Sequence, residues 1–300
     1  MILKTLRKIK IILFKLTIKY LKFIFKENYP PIIKKIIISA EYSEFFTKRA
    51  HFKSLFINKH SDTEWILENL NKEGFCIIEN FWSEEDCIKG INNIDSIIKK
   101  YPEYVQTQNK SDSRVYGAEN ISSKINSFAK DRLLIAVAEQ YNRKKTALGF
   151  TLAAKMPATY KNKGSGEGWH RDAFYRQFKT LLYLSDVGND NGPFQLILHS
   201  QKYKNLIKDM ESADLKYMQY RLTEKEISKI LFNEPQREKT ILGNMGTLIL
   251  VDTSTLHRGA PIKKGIRYAL TNYYYTHNQI DEQLYKKFKA IPKDLINKKY

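Results

Sequence analysis

The stretch Gly168-Trp169-His170-Arg171-Asp172 decides the fold, and it lies between a glycine-rich loop and an apolar run. It places an imidazole and a carboxylate two residues apart. Side chains at i and i+2 of a β-strand point to the same face, so an extended chain here lets His170 and Asp172 hold one ion together. The stretch therefore predicts a metal site on a β scaffold, and a third ligand is expected elsewhere in the chain.

Short apolar segments separated by turn residues predict strands at 75–80, 146–156, 180–187, 194–198, 246–252 and 266–276. Amphipathic segments predict helices from Asp62 to about Lys72, after Ser83, and over 128–143, whereas 101–127 is polar and resembles a loop. Short strands with turns between them are typical of a β-sandwich or jelly roll. The residues therefore predict a mainly β domain with flanking helices.

The third ligand is predicted by comparing the six histidines. His51 and His60 precede the β region, His199 lies in a polar turn, and His277 ends the last strand. His257 remains, just after the apolar strand 246–252. Two histidines and one carboxylate form the facial triad of non-haem Fe(II) oxygenases, which leaves coordination positions open, although Zn and Mn also accept these ligands.

His60-Ser61-Asp62 repeats the spacing of His170 and Asp172 and serves as a control. Asp62 is predicted to cap a helix, and residues two apart at a helix start do not share a face. The spacing alone is therefore weak evidence for a metal site.

Arg267 opens the strand 266–276, ten residues after His257. A guanidinium binds a carboxylate through two parallel hydrogen bonds. Beside a facial triad, this geometry suits the distal carboxylate of 2-oxoglutarate.

At these positions the chain resembles the phytanoyl-CoA dioxygenase family of Fe(II)/2-oxoglutarate-dependent oxygenases. The matching stretches are 74–81, 169–172, 181–187, 191–195, 199–202 and 246–252, together with His257 and Arg267. The resemblance covers about 74–276. It implies a double-stranded β-helix, a cupin-like jelly-roll core, in agreement with the predicted strands.

The resemblance also implies the site residues and cofactors. Fe(II) is expected at His170, Asp172 and His257, which are the catalytic residues, and 2-oxoglutarate is expected at Arg267. Lys155 and Tyr183 are the candidates for further cosubstrate contacts, and Arg114 and Tyr116 lie where the family often brings a loop side chain to the site. One departure is Gly259, where many members have a small hydroxyl residue that binds the cosubstrate.

The implied activity consumes O2 and 2-oxoglutarate, releases succinate and CO2, and hydroxylates a C–H bond. Asp172 favours hydroxylation over halogenation, because related halogenases replace this carboxylate with Gly or Ala. The substrate is expected to be a small molecule or a lipid-linked compound. The alternative is a non-redox metal-binding jelly roll, either a Zn hydrolase or an inactive membrane-surface protein; Arg267 argues against hydrolysis, which needs no cosubstrate.

The net charge of +19 is unevenly distributed, because residues 1–26 contain eight lysines and arginines and no acid. Six of these lysines lie on one helical face, opposite Leu16, Tyr20, Phe23 and Ile24. This pattern is typical of a helix that lies in a membrane surface, although packing on the protein's own body is an alternative. No nucleic-acid partner is expected, because no reading module is present.

The two cysteines, Cys76 and Cys87, match no disulfide or CxxC pattern and fit a reducing compartment. We therefore expect a cytoplasmic location, at the inner face of the membrane if the first helix binds lipid. The predicted regions are a basic amphipathic helix at 1–31, an unassigned region at 32–73, a dioxygenase domain at 74–280 with a helical insertion at about 203–234, and a helix at 281–300.

Overall fold

The computed structural model describes residues 16–25, 30, 32–33, 36–37, 61–108, 112–143, 145–160, 162–216, 218–276, 280, 282–293 and 295. The N-terminal helix predicted over 1–31 is described as helix at 16–25, and its other positions, apart from Pro30, lie outside the described residues. His51, His60 and His277 lie outside them as well.

From residue 61 onward the described chain forms seven α-helices: α1 (Ser61–Glu73), α2 (Glu84–Lys100), α3 (Ser123–Ala129), α4 (Arg132–Asn142), α5 (Tyr203–Ser212), α6 (Glu224–Leu231) and α7 (Glu282–Lys287). The strands are β1 (Phe75–Ile78), β2 (Gln106–Gln108), β3 (Asp112–Tyr116), β4 (Thr146–Pro157), β5 (Phe178–Tyr183), β6 (Phe194–Ile197), β7 (Glu238–Ile241), β8 (Leu248–Asp252), β9 (His257–Gly259) and β10 (Ile266–Thr276).

The strands form two antiparallel sheets, which make the predicted double-stranded β-helix with flanking helices. The larger sheet has the order β1-β8-β5-β10-β4-β3-β2, and the smaller one has the order β7-β6-β9. The long strands β4 and β10 pair from Pro157 opposite Ile266 to Thr146 opposite Thr276. This pairing fixes which side chains of the larger sheet face inward.

Helices cover the outer face of the larger sheet. Leu70 of α1, Ile94 of α2 and Val137 of α4 are fully buried and belong to one cluster with Leu250 of β8 and Leu270 of β10. Each such side chain contributes about 1.5–3 kcal/mol when it leaves water. With this face sealed, the inner face is left to line a cavity between the sheets.

The region predicted as an insertion, 203–234, contains the helices α5 and α6. Thr223 caps α6 in a reciprocal capping box with Glu226. Apolar residues of both helices, including Leu206 and Ile227, form one buried cluster with Trp169 and Phe174. The two helices therefore pack directly on the stretch that contains His170 and Asp172.

The sequence prediction of a loop over 101–127 was wrong for part of its length. Strands β2 and β3 add to the edge of the larger sheet, and β3 pairs with β4. Their signal was missed because β3 buries two charged residues, Asp112 and Arg114, which form an ion pair of 2.6 Å. A charged pair hides the apolar alternation by which a strand is recognised.

Two helix predictions also need correction. The helix predicted over 128–143 is divided between α3 and α4, because Asp131 caps a new helix by accepting from the backbone N–H of Leu134. The C-terminal helix ends at Lys287 rather than continuing to 300, and Lys289 has a left-handed φ of +45°. The helix after Ser83 is as predicted, and Ser83 accepts from the N–H of Asp86.

Candidate metal centre

A pair of backbone hydrogen bonds brings His170 and His257 together. His170 donates to the carbonyl of His257 at 2.9 Å, and His257 donates to the carbonyl of His170 at 2.8 Å. The Asp172 N–H donates to Thr253 at 2.9 Å. Residues 170–172 are therefore an extended segment bridged to β9, rather than a full strand, but the expected consequence holds: the three side chains converge.

The side-chain donor atoms of His170, Asp172 and His257 lie within 4.8 Å of one another. The Nε2 atom of His170 is 3.9 Å from Asp172 Oδ1, and the Nε2 atom of His257 is 3.8 Å from Asp172 Oδ2. Among the described residues this is the one cluster of three such donors that could hold a metal ion. Two nitrogens and one carboxylate suit a first-row transition metal.

Both imidazoles are oriented by backbone carbonyls. Nδ1 of His170 lies 2.9 Å from the Gly168 oxygen, and Nδ1 of His257 lies 2.8 Å from the Thr255 oxygen. A carbonyl can only accept, so each Nδ1 carries the proton and each Nε2 presents a lone pair to the cluster.

The electrostatics favour neutral imidazoles beside an ionised carboxylate. Burial, with a smaller contribution from His170, lowers the pKa of His257 to about 3, and burial also lowers the pKa of His170. Burial opposes ionisation of Asp172, but Lys179 and the two histidines outweigh it and lower its pKa. These are the protonation states in which all three side chains donate electron pairs to a metal.

Lys179 is an addition that the sequence analysis missed. Its Nζ lies 2.8 Å from Asp172 Oδ2 and 3.7 Å from the centre of the Tyr273 ring. The signal was available in β5, since Lys179 and Leu181 alternate on one face of that strand, and both line the cavity.

Arg267 lies in the same cavity and is unusual for a buried cation. It is 3% exposed, and its Nε and Nη1 have no hydrogen-bond partner among the described residues. Its Nη2 contacts the sulfur of Met156 at 2.9 Å. Burial lowers its pKa, with a further contribution from Arg114. Such a group is strongly favoured to bind an anion that fits beside it.

The structure does not bring Lys155 to this cavity, which corrects the sequence interpretation. Ala154 and Met156 of β4 line the cavity, so Lys155 points to the opposite face of the sheet. Its Nζ pairs with Asp95 of α2 at 2.8 Å and lies 5.4 Å from the Tyr268 ring centre. Lys155 holds a helix to the sheet and contacts no part of the site.

Tyr183 also falls outside the cavity wall, although it faces the interior. Its hydroxyl accepts from the Phe194 N–H at 2.8 Å and donates to the Ile241 carbonyl at 3.1 Å. The side chain is fully buried and joins β5 to β6 and β7. Both polar contacts of the hydroxyl are made within the protein, so Tyr183 contributes to packing, and its contact with the cosubstrate stays a prediction.

The cavity that contains these groups has a volume of about 440 Å³. Every second residue of β10, from Arg267 to Tyr275, lines it, as do Arg114 and Tyr116 of β3. Arg114 is positioned by Asp112 and donates to Ser165 at 3.2 Å. Arg114 and Tyr116 were predicted from the sequence to lie in a loop near the site, whereas they belong to β3.

The glycine at 259 is explained by crowding. A Cβ at Gly259 would lie 2.8 Å from the Cβ of Ser165 and 3.0 Å from Nη2 of Arg267. The backbones of the two residues are joined, since Gly259 donates to the Ser165 carbonyl at 3.0 Å. Ser165, a residue with a hydroxyl group, therefore lies next to position 259, where many family members have a hydroxyl residue of their own.

A family model described as phytanoyl-CoA dioxygenase (PhyH) matches residues 70–266, about two thirds of the chain. This chain belongs to the phytanoyl-CoA dioxygenase family. The family consists of Fe(II)- and 2-oxoglutarate-dependent oxygenases, and the chain is an enzyme of this class, with iron, 2-oxoglutarate and O2 as its cofactors. No curated protein gives a match.

Solved structures support the fold of this phytanoyl-CoA dioxygenase family member. EctD from S. alaskensis, solved with 2-oxoglutarate and 5-hydroxyectoine, has a TM-score of 0.57 at 14% identity, over 76% of this chain and 80% of EctD. The epimerase SnoN, solved with Fe3+, α-ketoglutarate and nogalamycin RO, has a TM-score of 0.54 at 13% identity, over 72% and 84% of the two chains. HygX from Streptomyces hygroscopicus, solved with nickel and 2-oxoglutarate, has a TM-score of 0.50 at 13% identity, over 71% and 87%.

Beyond residue 266, where the family match ends, the cavity wall comes from β10 and from the C-terminal segment. Leu284, Lys287 and Phe288 line the cavity, although the match ends at residue 266. The helix-forming pattern of this segment was visible in the sequence, but no local signal indicates where a terminal helix packs.

Proposed function

We propose that this enzyme hydroxylates a small organic molecule, with iron at His170, Asp172 and His257 and 2-oxoglutarate at Arg267. The single observation that carries the proposal is the buried Arg267 guanidinium, whose Nε and Nη1 lack partners, in the same cavity as the three converging ligands. A metal site alone suits several reactions, but a metal site beside an unsatisfied buried cation suits a metal-chelating dianion.

The residues fit the proposed metal. Nε2 of His170, Nε2 of His257 and an oxygen of Asp172 are the available donors, and the carbonyls behind each imidazole keep them directed inward. When bound, iron and 2-oxoglutarate supply the oxidising chemistry that places one oxygen of O2 in the substrate and releases succinate and CO2. The protein binds, orients and keeps water away.

Arg267 is proposed to bind the distal carboxylate of 2-oxoglutarate through its free nitrogens. Gly259 leaves room for that carboxylate, since a side chain there would crowd Nη2. Arg114 lies on the same wall, but Asp112 pairs with it at 2.6 Å, so Arg267 supplies the unpaired positive charge for the dianion.

The non-redox alternative, a Zn hydrolase, uses the same three ligands but leaves Arg267 without a role. A buried guanidinium without a partner costs several kcal/mol, which a hydrolase has no reason to retain. The geometry therefore favours the oxygenase.

The test is an anaerobic titration of the full chain with Fe(II) and 2-oxoglutarate. We expect a weak visible charge-transfer band from the ternary complex, and slow succinate formation when O2 is admitted. His170→Ala should abolish both, whereas His199→Ala should retain them, because His199 pairs with Glu73 and does not line the cavity. Absence of the band in the unaltered protein, together with tightly retained Zn, would establish the hydrolase instead.

We also propose that the enzyme associates with membrane surfaces through its N-terminal helix. Leu16, Tyr20, Phe23 and Ile24 are exposed, and Phe23 is 78% exposed. This face is therefore not covered by the described part of the protein, which favours lipid over packing on its own body. Ile18, on another face, is buried.

No helix in the described part of the chain is long and apolar enough to cross a bilayer. We propose a peripheral association, as the amphipathic pattern of the N-terminal helix indicates. Cys76 and Cys87 are both free and buried, which supports placement on the reducing, cytoplasmic side of that membrane. A lipid-linked substrate would be consistent with such a location.

A further inference from the structure

The cavity keeps an excess of positive charge after the proposed iron and cosubstrate are counted. Arg114, Lys179, Arg221, Arg267 and Lys287 line it, against the single carboxylate of Asp172. A ferrous ion, the 2-oxoglutarate dianion, Asp172 and Arg267 together carry no net charge. Arg114 is neutralised by Asp112 at 2.6 Å. Lys179, Arg221 and Lys287 then give the cavity a surplus of three positive charges, because Asp172, with which Lys179 pairs, is already counted with the iron.

The positions of these three cations locate the excess charge. Lys179 is mostly buried beside the metal ligands, whereas Arg221 and Lys287 are exposed and mark the cavity's opening. Arg221 is held there, because its Nη1 donates to the Gly166 carbonyl at 2.7 Å. In the part of the chain that the structure describes, no carboxylate lies within ion-pair distance of Arg221 or Lys287.

The wall next to Lys287 is apolar and aromatic. Phe288 lies 4.9 Å from the Phe150 ring centre and 5.1 Å from that of Tyr116. Leu284 lines the cavity on the same segment. A ligand that entered here would contact both a positive charge and an apolar, aromatic surface.

This C-terminal wall is built into the structure rather than loosely apposed. The Tyr285 hydroxyl donates to the Gly149 carbonyl at 2.8 Å. The Ile291 N–H donates to the Tyr116 carbonyl at 2.8 Å, and the Asn120 side-chain amide donates to the Ile291 carbonyl at 2.8 Å. Residues 282–291 are thus tied to β4, β3 and the turn that follows β3, so Lys287 and Phe288 are held at the cavity.

We propose that the substrate is an organic anion with an apolar body, selected by Arg221 and Lys287 at the opening and by the C-terminal wall of Leu284 and Phe288. This inference rests on the proposed oxygenase function and names its substrate class. Leu284, Lys287 and Phe288 lie beyond residue 266, where the match ends, so the family model does not by itself predict this wall.

The test compares two probes that share an apolar chain, octyl phosphate and the neutral 1-octanol. Binding is measured by calorimetry on the full-length protein saturated with Fe(II) and 2-oxoglutarate under anaerobic conditions, so that the cosubstrate position is filled. We expect octyl phosphate to bind at least tenfold more tightly than 1-octanol. Raising the NaCl concentration should weaken the binding of octyl phosphate and leave the binding of 1-octanol unchanged.

Single variants assign the effect to residues. Arg221→Gln and Lys287→Gln should each lower the affinity for octyl phosphate by roughly 3- to 10-fold and leave the affinity for 1-octanol unchanged. Lys286→Gln is the matched control, since Lys286 is exposed, pairs with Glu282 and does not line the cavity. Phe288→Ala should lower the affinity for both octyl probes by roughly 10-fold.

Two outcomes would overturn the proposal. Equal affinity for the two probes, with the charge-transfer band intact, would show that the cavity does not select anions. Inorganic phosphate binding as tightly as octyl phosphate would show that the C-terminal wall contributes nothing. Absence of the charge-transfer band would instead refute the oxygenase function. A wrong substrate class and a wrong enzyme class therefore give different results.

Discussion

Arg267 combines deep burial with two nitrogens that lack partners among the described residues. An unpaired buried charge costs several kcal/mol, so the cosubstrate-free protein is less stable than its packing allows. The same group gains charge-assisted hydrogen bonds when a carboxylate arrives. Residues that bind a ligand tightly often lower the stability of the ligand-free protein in this way, and both the affinity and the stability can be measured.

We predict that Arg267→Met raises the Kd for 2-oxoglutarate at least 100-fold, because two charge-assisted hydrogen bonds contribute roughly 3 kcal/mol. Without cosubstrate, the melting temperature of the variant should equal or exceed that of the unaltered protein. Calorimetry and thermal denaturation check the two parts.

Lys155→Met is the matched control for this prediction. Lys155 pairs with Asp95 on the outer face of β4, so its loss should leave 2-oxoglutarate affinity unchanged. A large loss of affinity in Lys155→Met, or none in Arg267→Met, would contradict the assignment of the cosubstrate position.

The different positions of Arg267, in the cavity, and Lys155, on the outer face of β4, show what the sequence can predict at single residues. The sequence predicted that His170, Asp172, His257 and Arg267 share one site because their spacing and context are specific, and all four line the same cavity. Lys155 was misplaced because β4 is apolar on both faces, and its burial pattern shows no clear alternation. Without alternation, the sequence does not tell which residues of the strand face the cavity.

Glu119 acts at the scale of elements, since it joins the turn after β3 to β4. Its carboxylate accepts from the Thr151 N–H at 2.9 Å, and burial raises its pKa from 4.5 to about 7. Between these values the folded protein keeps a proton that the unfolded chain has lost. The contribution to stability is therefore full below pH 4.5 and is lost as pH rises through 7.

We predict that Glu119→Gln removes this decline, because the amide stays neutral and still accepts from Thr151. At pH 8 the variant should be more stable than the unaltered protein by roughly 1–3 kcal/mol, and at pH 4.5 the difference should be small. Urea denaturation at several pH values measures it. Glu103→Gln, at an exposed position, is the control and should leave the pH profile unchanged.

The elements that were predicted and those that were missed differ in a physical way. Strands β4, β8 and β10 are long or strongly apolar and were recognised from local sequence. Strand β3 was missed because Asp112 and Arg114 neutralise each other inside the protein. The packing of α7 against β4 was not predictable, because it depends on contacts between segments more than a hundred residues apart, such as Tyr285 with Gly149.

At the scale of the whole molecule, positive charge and exposed apolar side chains occur together in the N-terminal helix. The described helix at 16–25 exposes Tyr20 and Phe23 and carries Lys19 and Lys22. In the proposed association, acidic lipids would attract these charges and the apolar side chains would enter the acyl boundary. The domain behind this helix would then take its substrate from, or near, a membrane surface.

We predict that the protein sediments with vesicles that contain phosphatidylserine and less with vesicles of phosphatidylcholine alone. The double variant Tyr20→Ser with Phe23→Ser should reduce binding by roughly 10-fold or more, since each large apolar side chain contributes about 1.5–3 kcal/mol when fully buried. Phe232→Ser is the matched control, because Phe232 is 83% exposed but lies at the end of α6. The charge-transfer band should persist in all variants, and unchanged sedimentation of the double variant would rule out the N-terminal helix as the membrane contact.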